Sequence, residues 1–227
     1  MRKRRAIVVF VVGTIVLILF AGSLPSLLEA PLTEEPRSSI EATSSATEAL
    51  ETLEVKGRAP KTNYARAQFG DGWATVNGCT TRNIILHRDL EDTTVDEACR
   101  VVSGVLYDPY SGETIQFSKD DSSKVQIDHV VALSDAWQKG AQNLSKERRT
   151  QLANDPLELL AVQGAANQAK SDGDAATWLP KNKAFRCEYI ARQIAVKKKY
   201  LLWVTAAEKD AMRAVLQGCP TQALPAS

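Results

Sequence analysis

The chain of 227 residues has only two histidines, no meaningful excess of either charge and no Cys-x-x-C pair. Each shortage excludes something. With 28 Lys and Arg against 27 Asp and Glu, a net charge of +1 creates no global field to gather a polyanion. Affinity for nucleic acid must therefore come from local patches. The missing Cys-x-x-C argues against a zinc ribbon or a dithiol redox pair. Aromatic residues make up 6% of the chain and hardly interleave with the basic residues of its last third, so base stacking there is not supported. No internal repeat is visible.

What is present begins with a leader. "MRKRR" is followed by an uninterrupted apolar run, Ala6 to Gly22, and a basic flank before an apolar run is the export pattern. Ala21-Gly22-Ser23 offers small residues for cleavage. Uncleaved, the run is close to the lower limit of about 17 residues for a spanning helix, with its positive flank left in the cytoplasm. Residues 1–28 are thus expected to be a signal peptide or membrane anchor, leaving the chain secreted or held at the outer face of the cytoplasmic membrane. No cysteine follows the run closely enough for lipid modification. Residues 29–56, rich in Ser, Thr, Glu and Ala, read as a solvated linker, residues 57–220 as the folded domain and 221–227 as a tail. All four cysteines, Cys79, Cys99, Cys187 and Cys219, lie beyond the leader. An even count in an exported chain reads as disulfides. Of three possible pairings, Cys79–Cys99 and Cys187–Cys219 each close a moderate loop, contributing about 3 kcal/mol apiece.

The domain mixes strand and helix signals. "VVSGVLYD" and "ETIQF" flank the turn "PYSG" and predict a hairpin. "VQIDHVVAL" is a third strand. Ser134 is the expected N-cap of "DAWQKGA", followed by a helix over "SKERRTQLA". "LELLAV" reads as another strand and "AANQAK" as a short helix. From Asn182 to Tyr200, Cys187, Ile190, Ala191, Ile194 and Ala195 follow the spacing of one buried helix face. Thr205 and Glu208 form a capping box for a last helix that ends at Gly218.

One of the two histidines, His129, stands beside Asp128 inside an apolar strand. A lone buried histidine is ordinarily a core residue. Here a strand carrying Asp-His, a second strand, and a helix holding Asn167 and Lys170 follow in β-β-α order. That order, with "GCTTRNIILHRDL", "DPYSGETIQF", "VQIDHVVALSDAW" and "LANDPLELLAVQGAANQAKSD", resembles the HNH (ββα-metal) nucleases, and more closely the exported HNH endonuclease family proteins of actinobacterial type. These are related to the nuclease domain of some modification-dependent restriction enzymes. The resemblance implies an α+β fold: a ββα-metal core, an additional N-terminal hairpin region and a C-terminal helical hairpin. It implies a metal-dependent endonuclease with low sequence specificity, acting on DNA ahead of RNA. His129 takes the place of the general base, and Asp128 and Asn167 those of ligands to a divalent cation, Mg²⁺ first and Mn²⁺ as the alternative. No stable protein partner is implied, and membrane contact only through an uncleaved leader.

The pattern departs from the family at three positions. Glu158 stands nine residues before Asn167, where the middle Asn belongs, with Asn154 nearby as a brace for the loop. Ala132 replaces a proline and Thr80 an Asp. A geometric tension also arises, because adjacent strand residues point to opposite faces, so Asp128 and His129 share one site only if the strand ends, twists or bulges there; otherwise Asp128 supports the site from behind the ligands. Arg82, Lys170, Lys181, Lys183, Arg192 and Lys197 are the candidate phosphate contacts. The segment Lys181 to Tyr200 holds seven basic residues against one acid, Glu188, and is the expected backbone track, although such a run is usually just a solvated face. Two other readings stand beside the nuclease: a degenerate module that binds nucleic acid without cutting it, and an envelope interaction protein.

Overall fold

The first helix begins inside the expected linker. The computed structural model describes residues 45–225, so the leader and the linker up to residue 44 lie outside the described residues. Helix α1 (Ala46–Thr52) is N-capped by the Ser45 side chain, which accepts the Glu48 N–H at 3.1 Å. Ala46, Ala49, Leu50 and Leu53 recur at helical spacing and are all buried. The linker assignment of 29–56 is therefore corrected: residues 45–56 belong to the folded body. The described part of the expected tail is docked as well, since the Ala46 N–H donates to the Gln222 carbonyl at 2.8 Å and Ser45 bridges to Ala223. Leu50 has no exposed surface, so Leu50→Ala is expected to cost about 2–5 kcal/mol in urea unfolding. A cost near zero would return α1 to the linker.

Two short strands, β1 (Thr75–Val76) and β2 (Cys79–Thr80), pair before helix α2 (Thr81–Asp89). An antiparallel sheet follows in the order β3 (Glu91–Val95), β4 (Val101–Tyr107), β5 (Thr114–Ser118). The β4–β5 turn is the "PYSG" segment, as expected. Strand β6 (Val125–His129) then pairs antiparallel with β7 (Leu159–Gln163) in unbroken register, from Val125 opposite Gln163 to His129 opposite Leu159. Between them lie α3 (Leu133–Gln138) and α4 (Lys146–Asn154). Ser134 is not the N-cap of α3. It sits in the first turn, and its hydroxyl donates to Asp172 at 3.1 Å.

Helix α5 (Gly164–Lys170) leaves β7 without a loop. Gly164 permits this, because its N–H donates to the Lys124 carbonyl at 2.8 Å and a Cβ there would lie 2.1 Å from the Ser123 carbonyl oxygen. Helices α6 (Arg186–Lys199) and α7 (Ala206–Leu216) complete the chain. The capping box of Thr205 and Glu208 is formed. Both disulfides are the expected ones: Cys79–Cys99 ties β2 to the turn before β4, and Cys187–Cys219 staples α6 to the end of α7. Helix α6 is buried on most of its circumference, including Tyr189, Gln193 and Val196 beside the predicted stripe.

The β6–β7 ribbon separates two cores of this α+β domain. Val125, Ile127, Leu159 and Ala161 face the smaller one with α2, β4 and β5. Leu160 and Val162 face the larger, built around α1, α3, α6 and α7. This two-residue alternation decides where the two candidate residues at the end of β6 point.

Candidate active site

Because β6 keeps regular pairing through His129, Asp128 and His129 diverge. Asp128 turns toward the larger core and is 5% exposed. Its Oδ2 accepts the Tyr110 hydroxyl at 2.5 Å, and its Oδ1 accepts the Lys170 ammonium at 2.9 Å. The same ammonium donates to the His129 carbonyl at 2.8 Å. Burial raises the Asp128 carboxyl above its ordinary range, against the pull of Lys170 and Tyr110. Tyr110, in the β4–β5 turn, is wholly buried among Trp178, Phe185 and Tyr189. Lys170 is thus part of the scaffold under Asp128, which corrects the expectation that it meets phosphate directly.

His129 turns to the other face. Its Nε2 lies 3.0 Å from the Ala153 carbonyl at the end of α4. A carbonyl only accepts, so Nε2 carries the proton and Nδ1 keeps its lone pair in the neutral ring. Nδ1 has no hydrogen-bond partner among the described residues. The indole of Trp73 lies parallel to the imidazole, with ring centroids 5.7 Å apart. Burial, helped by the Arg66 guanidinium and opposed by the Ala153 carbonyl, lowers the imidazole pKa to about 3. The ring is neutral across the physiological range.

Two cavities meet at His129. One, of about 600 Å³, is lined by Arg82, Gln126, Asp128, Asn167 and Asp172, and the other, of about 360 Å³, by Phe69, Gly72, Trp73 and Ala153. Arg66, His129 and Leu133 line both. Asn167 donates through Nδ2 to Gln126 at 2.9 Å, and its Oδ1 meets no donor among the described residues. Among the described residues no three His, Cys, Asp or Glu side chains converge on a point that could hold a metal ion.

The two candidates for the middle position differ in what they hold. Asn154 accepts the Ala74 N–H at 2.8 Å and donates to the Thr150 carbonyl, bracing the loop that carries Trp73. Glu158, with no exposed surface, accepts the Val131 N–H at 3.1 Å, while its carbonyl accepts the Val130 N–H. It therefore clamps the two residues that follow His129.

The expected backbone track is largely absorbed by the fold. Lys197 is fully buried and pairs with Glu208 at 2.9 Å, so it is a core cation and not a phosphate contact. Arg192 is half-buried, with a long bond to the Leu157 carbonyl. Lys199 pairs with Asp155. Lys181 and Lys183 stay exposed and meet no carboxylate among the described residues. Arg82 remains at the cavity, half-buried and 3.4 Å from the Val125 carbonyl. Arg66, Trp73 and Tyr110 escaped sequence reasoning. Arg66 opens a single 3-10 turn and the other two sit in loops, where no periodicity marks an inward-facing side chain.

The site is a neutral, carbonyl-oriented histidine on a cavity that two arginines also line, at the end of the central strand pair of an α+β domain. The profile of the C-terminal domain of GmrSD restriction endonucleases matches residues 80–215, more than half the chain, and the protein belongs to that family. It is also similar to an uncharacterized secreted protein of Arthroderma benhamiae, 38% identical over 193 residues that cover 84% of this chain and 91% of that one.

Proposed function

We propose that the protein is an exported endonuclease of the HNH type, hydrolysing phosphodiester bonds with His129 as the general base. The observation that carries this reading is the imidazole itself: neutral, fixed by the Ala153 carbonyl through Nε2, and open at Nδ1 beside Arg66. Nδ1 accepts a proton from water as that water attacks phosphorus. Arg66 and Arg82, lining the same cleft, meet the negative charge of the phosphate oxygens. Glu158 fills the middle position of the motif as a clamp on the loop after His129, which removes the main reason to read the domain as a degenerate binder. The β6–β7–α5 unit corresponds to the ββα core of such nucleases. The restriction-enzyme kinship supports DNA ahead of RNA as the substrate. Two disulfides, the basic and apolar N-terminus and the secreted relative support export.

The donor set suits a sparsely held divalent cation. A carboxylate has about four lone-pair positions. Tyr110 and Lys170 occupy two at Asp128, and Asn167 contributes an unpartnered amide oxygen on the same cavity. Mg²⁺ binds through few protein oxygens, with water and substrate phosphate completing its shell. Asp128 and His129 diverge but border the same cavity, so a cation held by Asp128 and Asn167 would stand apart from the base on that cavity's wall and supply positive charge to the phosphate and the departing 3′-oxygen.

Incubating the purified protein with plasmid DNA and with RNA, with Mg²⁺, Mn²⁺ or chelator, tests the reading. Cleavage that depends on the added ion is expected. Because the base titrates at about 3, kcat/KM should show no inflection near pH 6.5 on the acid side. Salt-sensitive DNA binding without cleavage would favour the binding module instead.

A further inference from the structure

The cavity on the Trp73 side of His129 plays no part in the chemistry above, yet its wall is a built structure. The loop from Arg66 to Trp73 is pinned to α4 at three points. The Arg149 guanidinium donates to the Gln68 carbonyl at 2.8 Å, Thr150 packs where a Cβ on Gly70 would come within 3.2 Å, and Asn154 accepts the Ala74 N–H at 2.8 Å. The residue before Asn154 is Ala153, whose carbonyl orients His129. One helix end therefore fixes imidazole and indole together. Gly72, at φ +127°, makes a turn that side-chain-bearing residues rarely adopt, and a Cβ there would meet nothing within 4 Å. The space beside Trp73 is open.

This pocket is mostly apolar, of about 360 Å³, at the small end of ligand sites. Its charged lining is one cation, Arg66, on the wall it shares with the phosphate-facing cavity, and one carboxylate, Asp71, which lines this pocket alone and is an acceptor suited to a base N–H and not to phosphate. An apolar aromatic slot opening onto an arginine and a general base matches a nucleoside with its phosphate: base on indole, phosphate at Arg66 and His129. We propose that the Trp73 pocket is a nucleobase subsite, taking the base beside the scissile phosphate out of its stack, so that the preferred substrate is single-stranded or locally unpaired nucleic acid. The subsite rests on the nuclease reading for its phosphate partner. A paired base cannot enter without leaving the duplex, whereas a base in a single strand already offers its face to an aromatic ring.

The test uses a labelled single strand with one abasic position walked through it, the matching duplex, and the protein with Trp73 intact or changed to Leu or Phe. The parent is expected to cut the single strand about tenfold or more faster in kcat/KM than the duplex, and to cut about tenfold more slowly beside the abasic position. Trp73→Leu should erase both preferences through KM, and Trp73→Phe should restore most of them. An abasic position cut as fast as its neighbours overturns the subsite. So does a Trp73→Leu protein that loses kcat on every substrate while keeping the abasic discrimination, because the indole would then only prop His129. Should the parent cut nothing, the nuclease reading fails and the pocket is judged by binding alone, using the fluorescence of the four tryptophans. Saturable quenching by a nucleoside monophosphate, absent with ribose 5-phosphate and lost in Trp73→Leu, supports the subsite. An equal response to both ligands removes it.

Discussion

Replacing His129 with alanine is expected to slow cleavage by about 10²–10⁴-fold, the loss typical of removing a positioned general base. His87, the other histidine, lies on the far end of α2 with its Nδ1 2.8 Å from the Thr93 hydroxyl, so no second imidazole takes over. Nucleic-acid binding should persist, because Arg66, Arg82, Lys181 and Lys183 are untouched. The variant should also change how stability responds to acid. The folded imidazole titrates at about 3 against 6.5 for the free ring. Below pH 6.5 the unfolded chain therefore binds a proton that the folded one refuses. Stability from the neutral ring is complete above pH 6.5 and is lost progressively as pH falls toward 3, by on the order of 4 kcal/mol. The His129→Ala protein lacks that term, so its unfolding free energy should fall less between pH 7 and pH 4 than the parent's, measured in urea at both values. Parental cleavage by a folded His129→Ala protein would make His129 a core histidine and leave the nuclease reading without a mechanism.

The parts of this protein legible in the sequence are those encoded by near neighbours. The β4–β5 turn, the β6 and β7 strands, the Thr205–Glu208 capping box and the moderate disulfide loops each rest on a few adjacent residues. The alternation that sends Asp128 and His129 to opposite faces is of this kind too: the strand keeps its register to His129 and ends there, so the two diverge yet border one cavity. What stayed hidden depends on partners far along the chain. Helix α1 reads as solvated because half of its apolar stripe is alanine, and its burial is decided by helices some 150 residues later. Lys197 and Lys170 look like surface cations until Glu208 and Asp128 are seen facing them. Trp73 and Arg66 lie in a glycine-containing loop whose inward direction is set by α4, 80 residues downstream.

The largest stability effect is expected at Lys139, behind α3. This ammonium has no exposed surface and meets Asp135 at 2.7 Å, Asp174 at 2.8 Å and Glu208 at 2.7 Å. Lys197 and Arg58 are the other cations of the group. The three acids come from α3, from the loop after α5 and from α7, so one side chain joins segments that share no strand. Lys139→Met fills most of the volume but leaves three buried carboxylates facing two cations, and breaking such a group costs about 3–5 kcal/mol. That is a large share of the roughly 5–15 kcal/mol that hold a domain together. The pH dependence should weaken locally. In the parent, burial pushes the Asp174 carboxyl up, but Lys139 and Arg58 more than offset it and hold the carboxyl at about 2. Its contribution is thus present above the ordinary carboxylate range and is lost as pH falls toward 2. Without Lys139, burial weighs more heavily on Asp174, whose folded carboxyl then binds a proton more readily than in the parent, so less stability is lost on acidification. Urea unfolding at pH 7 and pH 5 should show the gap between Lys139→Met and parent narrowing at the lower pH. Adding Glu208→Gln should recover part of the loss at pH 7, since one uncompensated charge is removed. A gap below about 1 kcal/mol at pH 7, or one that widens at pH 5, would mean that the carboxylates find water or other cations and that Lys139 does not hold these segments together.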